Sequence, residues 1–238
     1  MNAIGFTLKG RYGHHIRLDG AMVKQTHTIP TKTALYGLLG AILGRERDSY
    51  YEEFSDLSIA IVPLHIRRES IAQNHLSTES LPELGNTGIK APDHTKKSQR
   101  VPVEYLVNPE YKIYIDSENE SLLSEIKETL SSKSYEYTPC LGTTECLADL
   151  SLDQSITVTE IDSSNVDSVV PDAEFDKIIP SEKAEITFEK IASNFKSLDK
   201  GRKPTGFQDV IVPLNQKSLI LKDNAKVYTD GEFNFVYI

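Results

Sequence analysis

Residues 29–44 have the sequence IPTKTALYGLLGAILG, which predicts the first helix of the chain. Pro30 suits a first helical turn, because the N–H that proline lacks would be unpaired there in any case. Gly44 is typical of the residue just beyond a helix end. Gly37 and Gly40 lie inside the predicted helix, where each glycine costs about 1 kcal/mol relative to alanine. We therefore expect these two glycines to allow a close approach, either by a sheet packed on the helix or by a ligand.

Strand patterns lie on both sides of this helix. Residues 3–10 alternate apolar and polar side chains and end at a glycine, which predicts a first strand. Residues 57–67 predict a second strand, in which Pro63 favours an edge position or a bulge. The later elements are a strand region at 101–115 split by Asn108-Pro109, a helix at 117–130 and a strand that runs from 146 toward 158.

These elements follow the order β-α-β-loop-β-α-β, which is typical of a split βαβ arrangement. The predicted fold class is therefore α+β, with a ferredoxin-like (RRM-like) βαββαβ domain at residues 1–160. Residues 69–99 lack sustained periodicity and predict a long loop, a feature that is usually functional or disordered. Residues 161–238 predict a small β-rich C-terminal region of short strands, which ends in a hairpin marked by Asp230-Gly231.

The charge of the chain is unevenly distributed. The net charge is −9, which taken alone argues against a nucleic-acid partner. Residues 113–200 carry seven Lys or Arg and nineteen Asp or Glu, whereas residues 1–45 carry six basic side chains and one acidic side chain. Because screening limits charge interactions to about 10 Å, a local basic face can bind phosphates on an acidic molecule. The alternative is that these cations are solvated and that the acidic stretch faces solvent or a basic protein.

Several classes of function find no support in the sequence. The longest apolar run, residues 35–43, is too short to cross a bilayer, and the N-terminal residues lack the pattern of a secretion signal. Cys140 and Cys146 have the spacing of neither a disulfide framework nor a zinc site. Common phosphate-loop, nucleophile-elbow and metalloprotease signatures are absent. We therefore expect a cytoplasmic protein with no cofactor, no metal and no membrane partner.

Three histidines lie in the polar segment between the first strand and the first helix: His14, His15 and His27. A metal-independent ribonuclease needs a general acid and a general base beside a 2′-hydroxyl, and histidines could supply both. The same side chains could instead stack on bases or bond phosphates. The residues alone leave these alternatives open.

Three segments of the chain resemble the Cas5 family, whose members are repeat-associated mysterious protein (RAMP) subunits of the CRISPR Cascade complex. The segments are GRYGH at 10–14 with IPT at 29–31 and GLLGAILG at 37–44, then EYLVNPEYKIY at 104–114, then YTPCLGTTECLA at 137–148. They follow one another in the order and spacing of the family. The variety is most similar to the type I-B form.

The resemblance implies a noncatalytic function in CRISPR antiviral defence. Such subunits bind the five-prime handle of crRNA and cap the backbone filament of the complex. The implied partners are crRNA, the backbone (filament) subunit and the large subunit, with target DNA reached only through the complex. In the family an insertion between the second and third strands forms a thumb, and residues 69–100 occupy that place here. A single-stranded handle can be held through phosphates, 2′-hydroxyls and splayed bases.

One branch of the family, in type I-C systems, is instead a metal-independent endoribonuclease that processes precursor crRNA. Its tyrosine near the end of the first helix corresponds to about Leu43 here. Its adjacent lysine and histidine correspond to positions among 118–121, which are Glu, Asn, Glu and Ser. Because neither place carries suitable chemistry, we expect a chain that is not an enzyme. A third hypothesis is a ferredoxin-like protein-interaction module that binds no RNA.

The resemblance and the basic N-terminal charge together nominate a set of RNA-binding residues, and no catalytic or metal-binding residue is nominated. The set is Arg11, His14, Arg17, Lys24, Lys32, Arg67, Arg68, Lys97, Arg100 and Gly142. For each cation the alternative is a solvated surface residue with no functional contact.

Overall fold

The computed structural model describes residues 3–17, 23–76, 98–153, 156–172, 177–179, 184–198 and 201–238. These residues contain two helices and fourteen strands. The elements in chain order are β1 (Ile4–Gly10), β2 (Tyr12–Gly13), α1 (Lys32–Ile42), β3 (Ser58–His65), β4 (Arg68–Leu76), β5 (Ser98–Val107), β6 (Glu110–Asp116), α2 (Glu120–Ser132), β7 (Ala148–Leu152), β8 (Thr159–Val166), β9 (Val170–Pro171), β10 (Ile178–Ile179), β11 (Ile186–Leu198), β12 (Gly201–Pro213), β13 (Leu219–Thr229) and β14 (Asn234–Phe235). Among the described residues, neither helix is long and apolar enough to span a membrane.

Four strands form the central sheet, and the two helices connect strands of this sheet. The strand order is β3-β6-β1-β7, and each neighbouring pair is antiparallel. As a result, α1 connects two parallel strands that have β6 between them, and α2 connects two parallel strands that have β1 between them. One face of the sheet packs on the helices in the main core. On the other face Tyr114 stacks on Phe235 of the C-terminal hairpin, with the ring centroids 4.0 Å apart.

Helix α1 begins later than the sequence predicts. The Thr31 side chain accepts a hydrogen bond from the Ala34 N–H at 3.2 Å, which makes Thr31 the N-cap and leaves Pro30 outside the first turn. The prediction for the other end is confirmed, because Gly44 has a φ of 70° just past the C-cap.

An aromatic ring accounts for the glycine in the middle of this helix. A Cβ at Gly40 would lie 2.5 Å from a ring carbon of Tyr50, so only glycine lets the ring pack on the helix backbone. Gly37 faces the hydroxyl end of the same ring, where a Cβ would lie 3.3 Å from the oxygen. The close approach expected from the sequence therefore comes from Tyr50 and not from the sheet.

The two prolines that interrupt strand patterns act as predicted. Strand β3 is at the edge of the central sheet, and its register with β6 shifts between Pro63 and His65. The chain turns between β5 and β6 at Asn108, whose φ is 48°. This turn sends the two strands into different sheets, since β5 belongs to a three-stranded sheet of order β2-β5-β4.

Strands β4 and β5 form a long antiparallel arm where the sequence predicts a loop. Their pairing runs from Arg68 with Leu106 to Leu76 with Ser98. The rest of the predicted loop, residues 77–97, lies outside the described residues. Residues 68–72 are all exposed, so neither face of this strand needs apolar side chains and the sequence carries no strand periodicity.

The C-terminal region is rich in strands, as predicted, but its longest strands are not short. Strands β11 and β12 have 13 residues each and form one hairpin. Ile191, Val210 and Val212 of this hairpin belong to the same buried cluster as α1 and the central sheet. The terminal hairpin predicted from Asp230-Gly231 is confirmed by the pairing of β13 with β14.

Candidate functional site

The segment between β1 and α1 folds back on itself and is here called the histidine loop (residues 11–17 and 23–30). The His27 N–H donates to the His15 carbonyl at 2.8 Å, and Ile16 forms an antiparallel bridge with Thr26. This pairing places all three histidines inside the protein, where His14 is 3% exposed and the other two are 5% exposed. The polar segment predicted from the sequence therefore does not present its histidines on an open surface.

His14 has one ring nitrogen in use and one without a partner. Its Nδ1 lies 2.7 Å from the carbonyl oxygen of Glu104. A carbonyl can only accept, so Nδ1 carries the proton and Nε2 of the neutral ring is an acceptor. That Nε2 is buried and has no hydrogen-bond partner among the described residues.

His15 is a second buried histidine with unused hydrogen-bonding capacity. Neither of its ring nitrogens has a partner among the described residues. Burial, with smaller contributions from the nearby His27 and His14, lowers the pKa of His15 to about 3. At neutral pH the ring is therefore uncharged and offers one donor and one acceptor.

His27 belongs to a buried hydrogen-bond network that ties the histidine loop to β11. Its Nδ1 lies 2.9 Å from one carboxylate oxygen of Glu189, and the other oxygen accepts from the Thr28 N–H at 2.8 Å and the Thr28 hydroxyl at 2.6 Å. The Tyr111 hydroxyl donates to the Thr28 carbonyl at 2.6 Å. Burial alone would raise the pKa of Glu189, but the hydrogen bonds from His27 and Thr28 outweigh it and hold the pKa below its ordinary value.

Gly142, which the sequence nominates for RNA contact, packs directly on the histidine loop. Its φ is 92°, and a Cβ there would overlap the carbonyl oxygen of His14 and lie 2.7 Å from the carbonyl carbon. The neighbouring Leu141 carbonyl accepts the His14 N–H at 2.9 Å. The structure thus shows a packing reason for this glycine.

A cleft of about 540 Å³ opens beside these histidines and is here called the α1 cleft. Its walls come from one side of α1, the turn at residues 137–144, and the β11–β12 hairpin. Among the described residues that line it, Arg202 is the one Lys or Arg and none is a carboxylate. Arg202 lies 3.3 Å from an Asp48 oxygen, donates to the Tyr51 hydroxyl at 2.8 Å and stacks 4.9 Å over the Phe195 ring.

Five of the nominated cations lie on or beside the β2-β5-β4 sheet. Arg11 and Arg67 flank its base, because their carbonyls accept the N–H groups of Asn108 at 2.9 Å and Val107 at 2.8 Å. Lys24 runs beside β5, where its carbonyl accepts the Glu104 N–H at 2.9 Å. The exposed members of this set, here called the arm cations, are Arg11, Lys24, Arg67, Arg68 and Arg100.

Two other nominated cations have different surroundings, and a third lies outside the described residues. The Lys32 ammonium donates to the Ile238 carbonyl at 2.8 Å, and burial lowers its pKa. Arg17 is half-buried, with its N–H donating to the Gln25 carbonyl at 3.1 Å. Lys97 lies outside the described residues.

Two residues that shape the site were missed by the reasoning from sequence. Glu189 and Arg202 are far along the chain from the histidine loop, and no motif marks either of them. Glu189 sits within a stretch rich in acidic residues, where one carboxylate is indistinguishable from its solvated neighbours. Among the described residues, no group of three or more His, Cys, Asp or Glu is arranged to hold a metal ion.

Comparison with known proteins places the chain in a family. The family described as "CRISPR-associated protein (Cas_Cas5)" matches residues 6–190. A solved structure described as "CRISPR RNA-guided surveillance complex" is similar with a TM-score of 0.58 and 12% identity, covering 92% of this chain and 91% of that chain. The crystal structure of a CRISPR protein from Archaeoglobus fulgidus has a TM-score of 0.58 and 14% identity, covering 99% of both chains. At such identities these two likenesses show the fold alone, and a comparison with curated proteins gives no significant match. Because the family match extends over well more than half of its residues, the chain belongs to the Cas5 family of CRISPR-associated proteins.

Proposed function

We propose that this chain is a noncatalytic subunit of a CRISPR surveillance complex of the Cascade type, and that it binds the five-prime handle of crRNA. The observation that carries the proposal is the arrangement of the arm cations, which lie together on one sheet of a chain whose net charge is −9. Cations grouped on one surface can neutralise phosphates of a single strand, and Arg67, which pairs with Glu69, would exchange that partner for a phosphate. Membership in the Cas5 family supports this assignment.

We further interpret the central sheet as the ferredoxin-like (RRM-like) domain predicted from the sequence. The antiparallel order β3-β6-β1-β7, with helices joining alternate strands, supports this interpretation. In this proposal the domain occupies residues 1–160, the arm of β4 and β5 is the base of the thumb at about 69–100, and residues 161–238 are the C-terminal region.

The positions that carry catalytic groups in the nuclease branch have structural roles here, which supports a noncatalytic chain. Leu43 is the C-cap of α1, and its N–H bonds to the carbonyl of Leu39 at 3.0 Å. Asn119 is the N-cap of α2, where its side chain accepts the Leu122 N–H at 3.1 Å. We therefore propose that another subunit processes the transcript, and that this chain is most similar to the type I-B form.

The proposed partners follow from the same assignment. The arm would contact the neighbouring backbone (filament) subunit and its stretch of crRNA, and this chain would cap the foot of that filament. The large subunit and the target DNA would be reached through the assembled complex. Sequence specificity would come from pairing between guide and target and not from this chain.

The direct test measures binding of a labelled repeat-derived RNA by the purified full chain at several salt concentrations. A double variant, Arg68→Gln with Arg100→Gln, removes two arm cations. We expect affinity to fall several-fold and the slope of log K against log salt to decrease by about 0.7 for each lost phosphate contact. The matched control is Lys190→Gln with Lys226→Gln, which removes the same charge from exposed positions on β11 and β13.

We expect the control variant to retain the affinity and the salt slope of the natural chain. Equal losses in the two double variants would contradict specific binding at the arm. Failure to bind the RNA at low salt, alone and with the backbone subunit, would instead favour a protein-interaction module without RNA.

A further inference from the structure

We infer that the α1 cleft binds a single unpaired nucleobase, an inference that rests on the proposed RNA-binding function. The arm cations account for phosphates, but none of them lines this cleft. Its lining is of a different kind, with buried histidines on one side and exposed apolar or aromatic groups on another. These are the two kinds of group that recognise a splayed base.

The base of the cleft offers hydrogen-bonding groups that the protein itself leaves unused. His14 and His15 both line the cleft, both are at least 95% buried by their exposed fractions of 3% and 5%, and three of their four ring nitrogens have no partner among the described residues. Buried polar groups are normally hydrogen-bonded, so this pair is suited to a ligand that supplies both a donor and an acceptor. The edge of a nucleobase supplies both.

The charge of the cleft favours a neutral ligand over a phosphate. The one cation among the described lining residues, Arg202, already has Asp48 and the Tyr51 hydroxyl as partners. The His15 ring is uncharged at neutral pH, because burial lowers its pKa far below 7. A phosphate would therefore find little electrostatic attraction in the cleft to offset the loss of its hydration. An uncharged aromatic ring has a much smaller free-energy cost of leaving water.

The mouth of the cleft carries two large exposed side chains. Tyr137 is 60% exposed and Ile16 is 59% exposed, and both line the cleft. Exposed apolar and aromatic side chains beside a concave site are typical of a ligand surface. Stacking of a base on an aromatic side chain is a common and sequence-tolerant contribution to single-strand binding.

Helix α1 contributes a glycine to the lining of the cleft. Gly37 lines the cleft, and a Cβ there would lie 3.3 Å from the Tyr50 hydroxyl oxygen. This glycine is therefore explained by packing against Tyr50 within the protein. The volume of about 540 Å³ falls within the range of pockets that bind small ligands.

The test places 2-aminopurine at each position of a repeat-derived RNA in turn and measures its fluorescence on binding to the full chain. Two variants alter the cleft at partly exposed positions: Tyr137→Ala removes the stacking ring and Ala34→Leu fills the wall. The control is Leu147→Ala, which removes an apolar side chain that is also 60% exposed but does not line the cleft. In parallel, the four free nucleosides and their 5′-monophosphates are titrated by NMR.

We expect one position, or two adjacent ones, to change fluorescence with the natural chain and with Leu147→Ala but not with either cleft variant. Tyr137→Ala should weaken RNA binding by roughly tenfold, the loss of one stacked base. RNA binding in which no position depends on Tyr137 or Ala34 would overturn the inference and leave the proposed function standing. Nucleoside binding that the cleft variants abolish, without any RNA binding, would support the cleft as a nucleobase site and overturn the proposed function. If neither RNA nor nucleoside binds, both are overturned.

Discussion

At the scale of single residues, glycines decide how closely segments of this chain approach one another. Gly142 and Gly231 have nearly the same backbone conformation, with φ values of 92° and 94°. They differ in their surroundings: a Cβ at Gly142 would overlap the His14 carbonyl, whereas a Cβ at Gly231 would have no described atom within 4 Å. Substituting each of the two glycines therefore separates the free-energy cost of a left-handed backbone from the cost of the overlap with His14.

We expect Gly142→Ala to lower the free energy of unfolding more than Gly231→Ala. Both variants strain a positive φ, which costs about 1–2 kcal/mol, and the overlap with His14 should add roughly 2 kcal/mol for Gly142→Ala alone. Urea denaturation of the full chain measures both values. Equal losses in the two variants would show that the turn does not rest on the histidine loop as described.

At the scale of elements, the sequence predicts those helices and strands whose apolar residues recur at a regular spacing. Both helices and the four strands of the central sheet follow from it, because each has a clear apolar side that meets a core. The exposed arm strand β4 has no buried face and so gives no signal. In β11 the pattern is inverted, because Phe188 is 63% exposed and Glu189 is 3% exposed. The partners of Glu189 come from the histidine loop, and pairing over that distance in sequence leaves no local trace.

The histidine loop gives the folded state a distinctive pH dependence. The pKa of His15 falls from 6.5 to about 3 on folding. As the pH falls below 6.5, the unfolded chain therefore binds a proton at His15 and the folded chain does not. Folding stability from this group is therefore present above that pH and is lost on acidification, by about 2 kcal/mol between pH 7 and pH 5. We expect His15→Gln to remove this slope, with urea denaturation at both pH values as the measurement. An unchanged slope in the variant would place the titrating group elsewhere.

At the scale of the whole molecule, charge and hydrogen-bonding groups are arranged on two surfaces. The arm cations lie on or beside the β2-β5-β4 sheet, and the α1 cleft, with Arg202 as its one described Lys or Arg, lies between α1 and the β11–β12 hairpin. Sequence reasoning could nominate the arm cations, because their charge is visible without a fold, and their contact with RNA stays a prediction. It could not assemble the cleft, whose walls come from residues as far apart as His14 and Arg202. A single strand held by its phosphates on one surface and by a base in the other would be fixed in register without any cleavage.

The most direct test of the central claim incubates the purified chain with end-labelled repeat RNA in EDTA and examines both binding and cleavage. We expect a bound complex at low salt that weakens steeply as salt increases, with the RNA recovered at full length. A discrete RNA product would contradict the account, because it would show a metal-independent nuclease. Absence of binding at low salt, both alone and with the backbone subunit, would contradict it as well.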